Sequence, residues 1–219
     1  MSSADIFACM LTLSAATTAL VTLARTGLWR ASYGLTAFVS GAALGQALIL
    51  WWPQVFWTPE FCLMWDACLA LFATWAGIEL GRGVLQPARR VWQRACSWAA
   101  LLSLPLAGIG LMGLFMASDT PRAGYRGLLA ADASVAGLLG LVLIHIALYE
   151  LPREPLTTAA LRGLMRYFVA QVMYLGAWET SVAWARFVGW ASVAMFAWAM
   201  LAITRAALPP LLRPTRAAK

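Results

Sequence analysis

Apolar residues along this 219-residue chain gather into seven long runs, at 6–24, 35–52, 62–80, 96–117, 128–148, 157–177 and 187–208. Each approaches the roughly 20 residues that an α-helix needs to cross the hydrocarbon core of a bilayer. Arg25 and Arg30 close the first run, and the second ends in the aromatic loop WWPQVFW, broken by Pro53. Gly81-Arg82-Gly83 and the basic stretch at 87–90 follow the third. The fourth contains Pro105 and gives way to SDTPRAGYR; the fifth ends at Tyr149-Glu150 and is followed by LPREP. The sixth carries Arg162 and Arg166, one helical turn apart, with stems long enough to snorkel towards an interface. Pro209-Pro210 stops the seventh, leaving a short basic tail at 209–219. Hydroxyls at Thr12, Ser14, Thr17, Thr18 and Thr22 in the first run can back-bond to their own helix.

The pattern predicts an all-α polytopic membrane protein, a single domain of seven transmembrane helices. Composition agrees: 62% of residues are hydrophobic and 11% charged, against about 45–50% and about 25% in soluble domains. Seven spans leave about 80 residues for tails and loops, too few for a soluble catalytic, kinase or nucleic-acid-binding domain. MSSAD before the first run lacks the basic segment of a signal peptide, so the first span is expected to be retained.

A net charge of +7 would suggest nucleic acid in a soluble protein. Here its distribution is a topology signal. With the N-terminus outside, thirteen basic residues fall on the cytoplasmic side and only Arg122, Arg126 and Arg186 outside. Trp51, Trp52, Trp57, Trp178 and Trp184 then sit at the outer boundary, with Trp29 and Trp92 at the inner one, as interface anchors. The expected location is the bacterial inner membrane, N-terminus out and C-terminus in, with bound lipids and no nucleic-acid partner.

Small residues let helices approach closely where lipid supplies no hydrophobic drive. Gly41 and Gly45, Gly108 and Gly113, and Gly137 and Gly140 are the candidate packing positions. Gln46, Gln171 and Tyr174 are expected to hydrogen-bond between helices.

Ionisable groups inside a membrane are costly and so are candidates for function. Two sets stand out. Asp66, Asp132, Glu179 and Arg186 lie towards the outer leaflet, as a ligand-binding cavity or a helix-tying cluster. Glu79, Arg82, His145 and Glu150 lie at the inner ends. His145 is the only histidine, which excludes a bis-histidine haem within the chain but leaves a haem or chlorin ligated on one face as an alternative cofactor. The four cysteines form no CxxC pair, and no metal site is expected. The only lysine, Lys219, is in the tail, so a retinal Schiff base within a span is excluded. Neither a nucleophile elbow, a phosphate loop nor HExxH occurs, and no enzyme is expected.

The segments FCLMWDACLALFATWAGIELGRGVLQP and LARTGLWRASYG resemble a family of small, standalone bacterial seven-span membrane proteins. More coarsely, the layout is similar to the seven-helix membrane sensor modules of bacterial signalling proteins, with no kinase or cyclase output domain expected after Pro210. The resemblance implies topology and supplies no chemistry. The leading expectation is a non-catalytic membrane subunit that docks onto a larger inner-membrane complex, with other membrane proteins or a second copy as partners. A sensor-like module binding a small or apolar ligand is the alternative, and a small transporter the second.

Overall fold

A computed structural model describes residues 1–85, 93, 121–151, 154–178 and 182–208. Among them the chain is all-helical, with no strand. The helices are α1 (Ser3–Arg25), α2 (Tyr33–Trp51), α3 (Pro53–Phe56), α4 (Pro59–Leu85), α5 (Pro121–Leu148), α6 (Pro155–Trp178) and α7 (Val182–Ala207). A single 3₁₀ turn, Leu28–Arg30, joins α1 to α2. The expected fourth span at 96–117 and the tail at 209–219 lie outside the described residues.

Five helices, α1, α2, α4, α5 and α7, are long and apolar enough to cross a membrane. The sixth run also forms a helix, α6, of 24 residues, but it is not among those five. Arg162, Arg166, Thr157, Thr158 and Gln171 dilute its apolar character.

Caps, rather than the edges of apolar runs, set the helix ends, so most helices outreach the runs that predict them. Ser2 caps α1 in a reciprocal box: its Oγ accepts from Asp5 N at 3.2 Å, and its own N–H donates to Asp5 Oδ2 at 2.7 Å. At the other end Gly27 takes φ 70°, a left-handed conformation suited to glycine, and stops the helix. Ser32 caps α2, accepting from Leu35 N at 3.0 Å. Thr58 Oγ1 accepts from Phe61 N at 3.3 Å, which starts α4 with Pro59 in its first turn, where the missing N–H costs nothing. Pro53, expected as a breaker, likewise opens the short α3.

Six long helices close into a ring in the order α1, α2, α4, α5, α6, α7 and back to α1. Cross-contacts fix their directions. Met1 and Ile6 line one groove with Leu50 and Trp51, so α1 and α2 are antiparallel. Phe7 meets Trp190 at a ring separation of 6.2 Å, near the starts of both α1 and α7, which therefore run parallel. Leu63 packs with Leu128, and Gly77 faces Leu139, so α4 and α5 also run parallel. Leu85 and Pro121 consequently lie at opposite ends of the bundle, about 40 Å apart by helix rise.

The middle of the ring is filled by aromatic rings. Phe38 of α2 lies 6.3 Å from Tyr167, 6.1 Å from Phe168 and 6.3 Å from Phe196. Outside, each long helix exposes a large aliphatic side chain: Leu11, Leu44, Leu71, Ile144, Val169 and Leu201. Such apolar exposure on each of these helices suits hydrocarbon rather than water.

Candidate functional site

Asp66 of α4 and Asp132 of α5 are brought together inside the half of the bundle that contains the N-terminus. Asp66 falls one turn after Leu63 and one before Leu69 and Ala70, which keeps it on the inward stripe of α4. Asp132 falls one turn after Leu128 and one before Val135 on the inward stripe of α5. It is 2% exposed, and its Oδ2 is buried with no hydrogen-bond partner. Because Leu63 packs with Leu128 and the two helices run parallel, the two carboxyls, each one turn further on, stand at the same level of the bundle. Leu63, Leu128 and Leu175, with Tyr125 and Tyr174 packed against them, form the apolar wall towards the N-terminal end.

Two further polar groups share this half. Gln46 Oε1 is buried without a partner, on α2 next to Gly45, which abuts the Trp65 indole one residue before Asp66. Gln171 Oε1 accepts from Ser192 Oγ at 2.5 Å and ties α6 to α7. Of the rest of the outer set, Arg186 is exposed and lies within electrostatic range of Asp5. It is not drawn to the acid pair. Glu179 lies outside the described residues.

The inner set does not assemble into one cluster: no hydrogen bond or ion pair joins any two of its four members among the described residues. Glu79 instead crosses to α2, where Oε2 accepts from Ser32 Oγ at 2.9 Å and Gly34 N at 2.8 Å. A carboxylate at the N-terminus of a helix satisfies free N–H groups and complements the helix dipole. His145 donates from Nδ1 to the Leu141 carbonyl at 2.8 Å and stacks on Tyr149 at 6.1 Å. Arg82 and Glu150 are exposed.

The packing glycines divide. Gly41 and Gly45 receive Leu69, Phe72 and Trp65 of α4, and Trp65 Nε1 donates to the Gly41 carbonyl at 3.2 Å. Gly140 has only Met165 Sδ nearby, at 3.7 Å, and Gly137 faces open space. Gly108 and Gly113 lie outside the described residues. Sequence reasoning missed Gly34, whose position abuts the Ala76 backbone, and Gly163, where a Cβ would meet that of Ala199 at 3.0 Å. The small residues opposite them, Ala76 and Ala199, were the available signal. Trp29, Trp51, Trp52, Trp57, Trp178 and Trp184 are all exposed at helix ends; Trp92 lies outside the described residues.

The outward face of α6 and α7 carries the least expected feature. Arg162 and Arg166 both point out of the bundle. Arg166 does not stretch to the helix end: its guanidinium sits 4.7 Å over the Trp198 ring, and Trp198 is itself 43% exposed. By helix rise Arg166 stands about 16 Å from the start of α6, near its midpoint. Arg205 is exposed near the end of α7, and Val169, Met173, Met195 and Leu201 give the face its apolar exposure.

Among the described residues no group of three or more His, Cys, Asp or Glu is gathered as for a metal ion. Cys9, Cys62 and Cys68 are free thiols. Comparison with protein-family models, curated proteins and solved structures finds no match to this chain.

Proposed function

We propose that this protein is a non-catalytic integral membrane subunit, with seven spans, its N-terminus outside and its C-terminus cytoplasmic, that docks onto a larger inner-membrane complex through the outward face of α6 and α7. The observation that carries the reading is the Arg166–Trp198 pair. An arginine at mid-depth of a span costs about 2.5–3.5 kcal/mol on insertion scales when it faces lipid. Stacking on an indole recovers about 0.5–1 kcal/mol at an exposed site. A carboxylate on a neighbouring helix would offset the remainder, and the apolar residues around the pair would exclude competing polar contacts.

The seven-span topology has independent support. The parallel arrangement of α4 and α5 leaves Leu85 and Pro121 at opposite ends of the bundle. Arg25, Arg30, Arg82 and Arg205 lie at or near the end assigned to the cytoplasm, while Arg126 and Arg186 lie towards the other. The sensor-like reading, in contrast, drew on convergence of Arg186 with Asp66, and Arg186 is turned outward.

The test is site-specific photo-crosslinking in intact cells. A photoreactive residue at Val169 is expected to capture a discrete membrane protein, and Arg166→Ala is expected to abolish the adduct. Capture of lipid alone, or an adduct indifferent to Arg166, would defeat the proposal.

A further inference from the structure

We propose that Asp66 and Asp132, between α4, α5 and α6, form an intramembrane site for a monovalent cation, either a proton or Na⁺. Three observations bear on it. The first is juxtaposition: α4 and α5 pack in parallel with Leu63 against Leu128, which sets Asp66 and Asp132, one turn further on in each helix, at the same level of the bundle. The second is that Asp132, 2% exposed, keeps Oδ2 buried with no donor to fill it. A buried carboxylate oxygen without a partner is costly, and native proteins rarely leave one unfilled unless something else occupies the site. The third is the chemistry of the surroundings. Gln46 supplies another buried, partnerless oxygen in the same half of the bundle.

The groups facing the pair are acceptors or weak acids. From α4 comes Cys62; from α5, Tyr125; from α6, Tyr167 and Tyr174; Glu60, at the start of α4, is exposed. Arg126 on α5 and Arg186 on α7 are both exposed. Two bare negative charges side by side in apolar surroundings repel each other and lack solvation, so the pair requires a positive charge. Carboxylate and amide oxygens without sulfur or imidazole suit a hard cation or a proton rather than a zinc-like metal. The wall of Leu63, Leu128 and Leu175 separates the site from the N-terminal end, so such an ion would exchange slowly.

The experiment is infrared titration of the purified full chain, supported by carbodiimide labelling. A carbonyl band from a protonated carboxyl is expected at neutral pH, to disappear on alkalinisation, and to be lost in Asp132→Asn that retains its helical circular dichroism. If Na⁺ shares the site, the titration midpoint falls by up to about one pH unit per tenfold rise in Na⁺; if the proton alone binds, Na⁺ leaves it unchanged. Either result supports a cation site and distinguishes its occupant. Absence of a protonated-carboxyl band together with indifference to Na⁺ overturns the proposal, as does a band that survives in both Asp66→Asn and Asp132→Asn. Should an Asn variant fail to fold, the wild-type chain still decides. Dicyclohexylcarbodiimide, which attacks protonated carboxyls in apolar sites, is expected to label Asp66 or Asp132 and to be blocked by alkali or Na⁺. Labelling at neither aspartate contradicts the proposal.

Discussion

Helix α4 meets its neighbours in two contrasting ways. Towards α2 the seam is closed: Gly34 abuts the Ala76 backbone, Trp65 bonds the Gly41 carbonyl, and Glu79 caps the start of the neighbouring helix. Towards α5 and α6 the same helix offers Asp66 to Asp132, whose Oδ2 has no partner. The first face shows intramembrane polar groups used as fasteners, each satisfied within the chain. The second shows carboxyls that fasten nothing, which is the condition for a site that something else completes. An ionisable residue in a span therefore does not announce its role by position alone; its partners decide.

Variants can break or sharpen this contrast. The largest effect is expected for Gly34→Leu, because the obstructing Ala76 atoms are backbone and cannot swing aside. A loss of about 3 kcal/mol, or failure to fold, follows from overpacking of this kind. Gly137→Leu, facing open space, is expected to be near neutral in the same thermal unfolding assay in detergent. Glu79→Ala comes next, at about 2 kcal/mol, since it removes a charged acceptor from both the Ser32 hydroxyl and the Gly34 N–H. A smaller change, within about 1 kcal/mol, is expected for Asp132→Asn, because Oδ2 has no hydrogen-bond partner in the chain to lose. Equal losses for Glu79→Ala and Asp132→Asn would erase the distinction between the two faces. The least effect on the isolated chain is expected for Arg166→Ala, about 0.5–1 kcal/mol for the lost ring contact.

Much of the architecture was legible in the sequence. Apolar runs locate six of the long helices to within a few residues, apart from the early starts of α4, α5 and α7, which begin in turns rather than in apolar segments. Asp66 stands clearly within its apolar run, whereas Asp132, the more deeply buried of the two, stands near the start of its own and gave less sign of it. The fate of Glu79 was not, because its partner, the start of α2, lies 45 residues away and nothing local signals the pairing. Arg186 was misplaced for a related reason: a residue at a helix start can turn inward or outward, and hydropathy does not encode which. Arg166 was expected to snorkel, yet Trp198, on the next helix, offers its guanidinium a nearer resting place than the interface.

That pair sets apart two outer surfaces as well. The outer face of α4 exposes Met64, Leu71, Trp75 and Ile78, all compatible with lipid, whereas the face of α6 and α7 adds Arg162 and Arg166. Parallel photo-crosslinking from Leu71 and from Val169 in intact cells distinguishes the two surfaces. A discrete protein adduct from Val169 that Arg166→Ala removes is expected, with only lipid captured from Leu71. Lipid alone from both positions, or the same protein from both, would contradict the proposed docking.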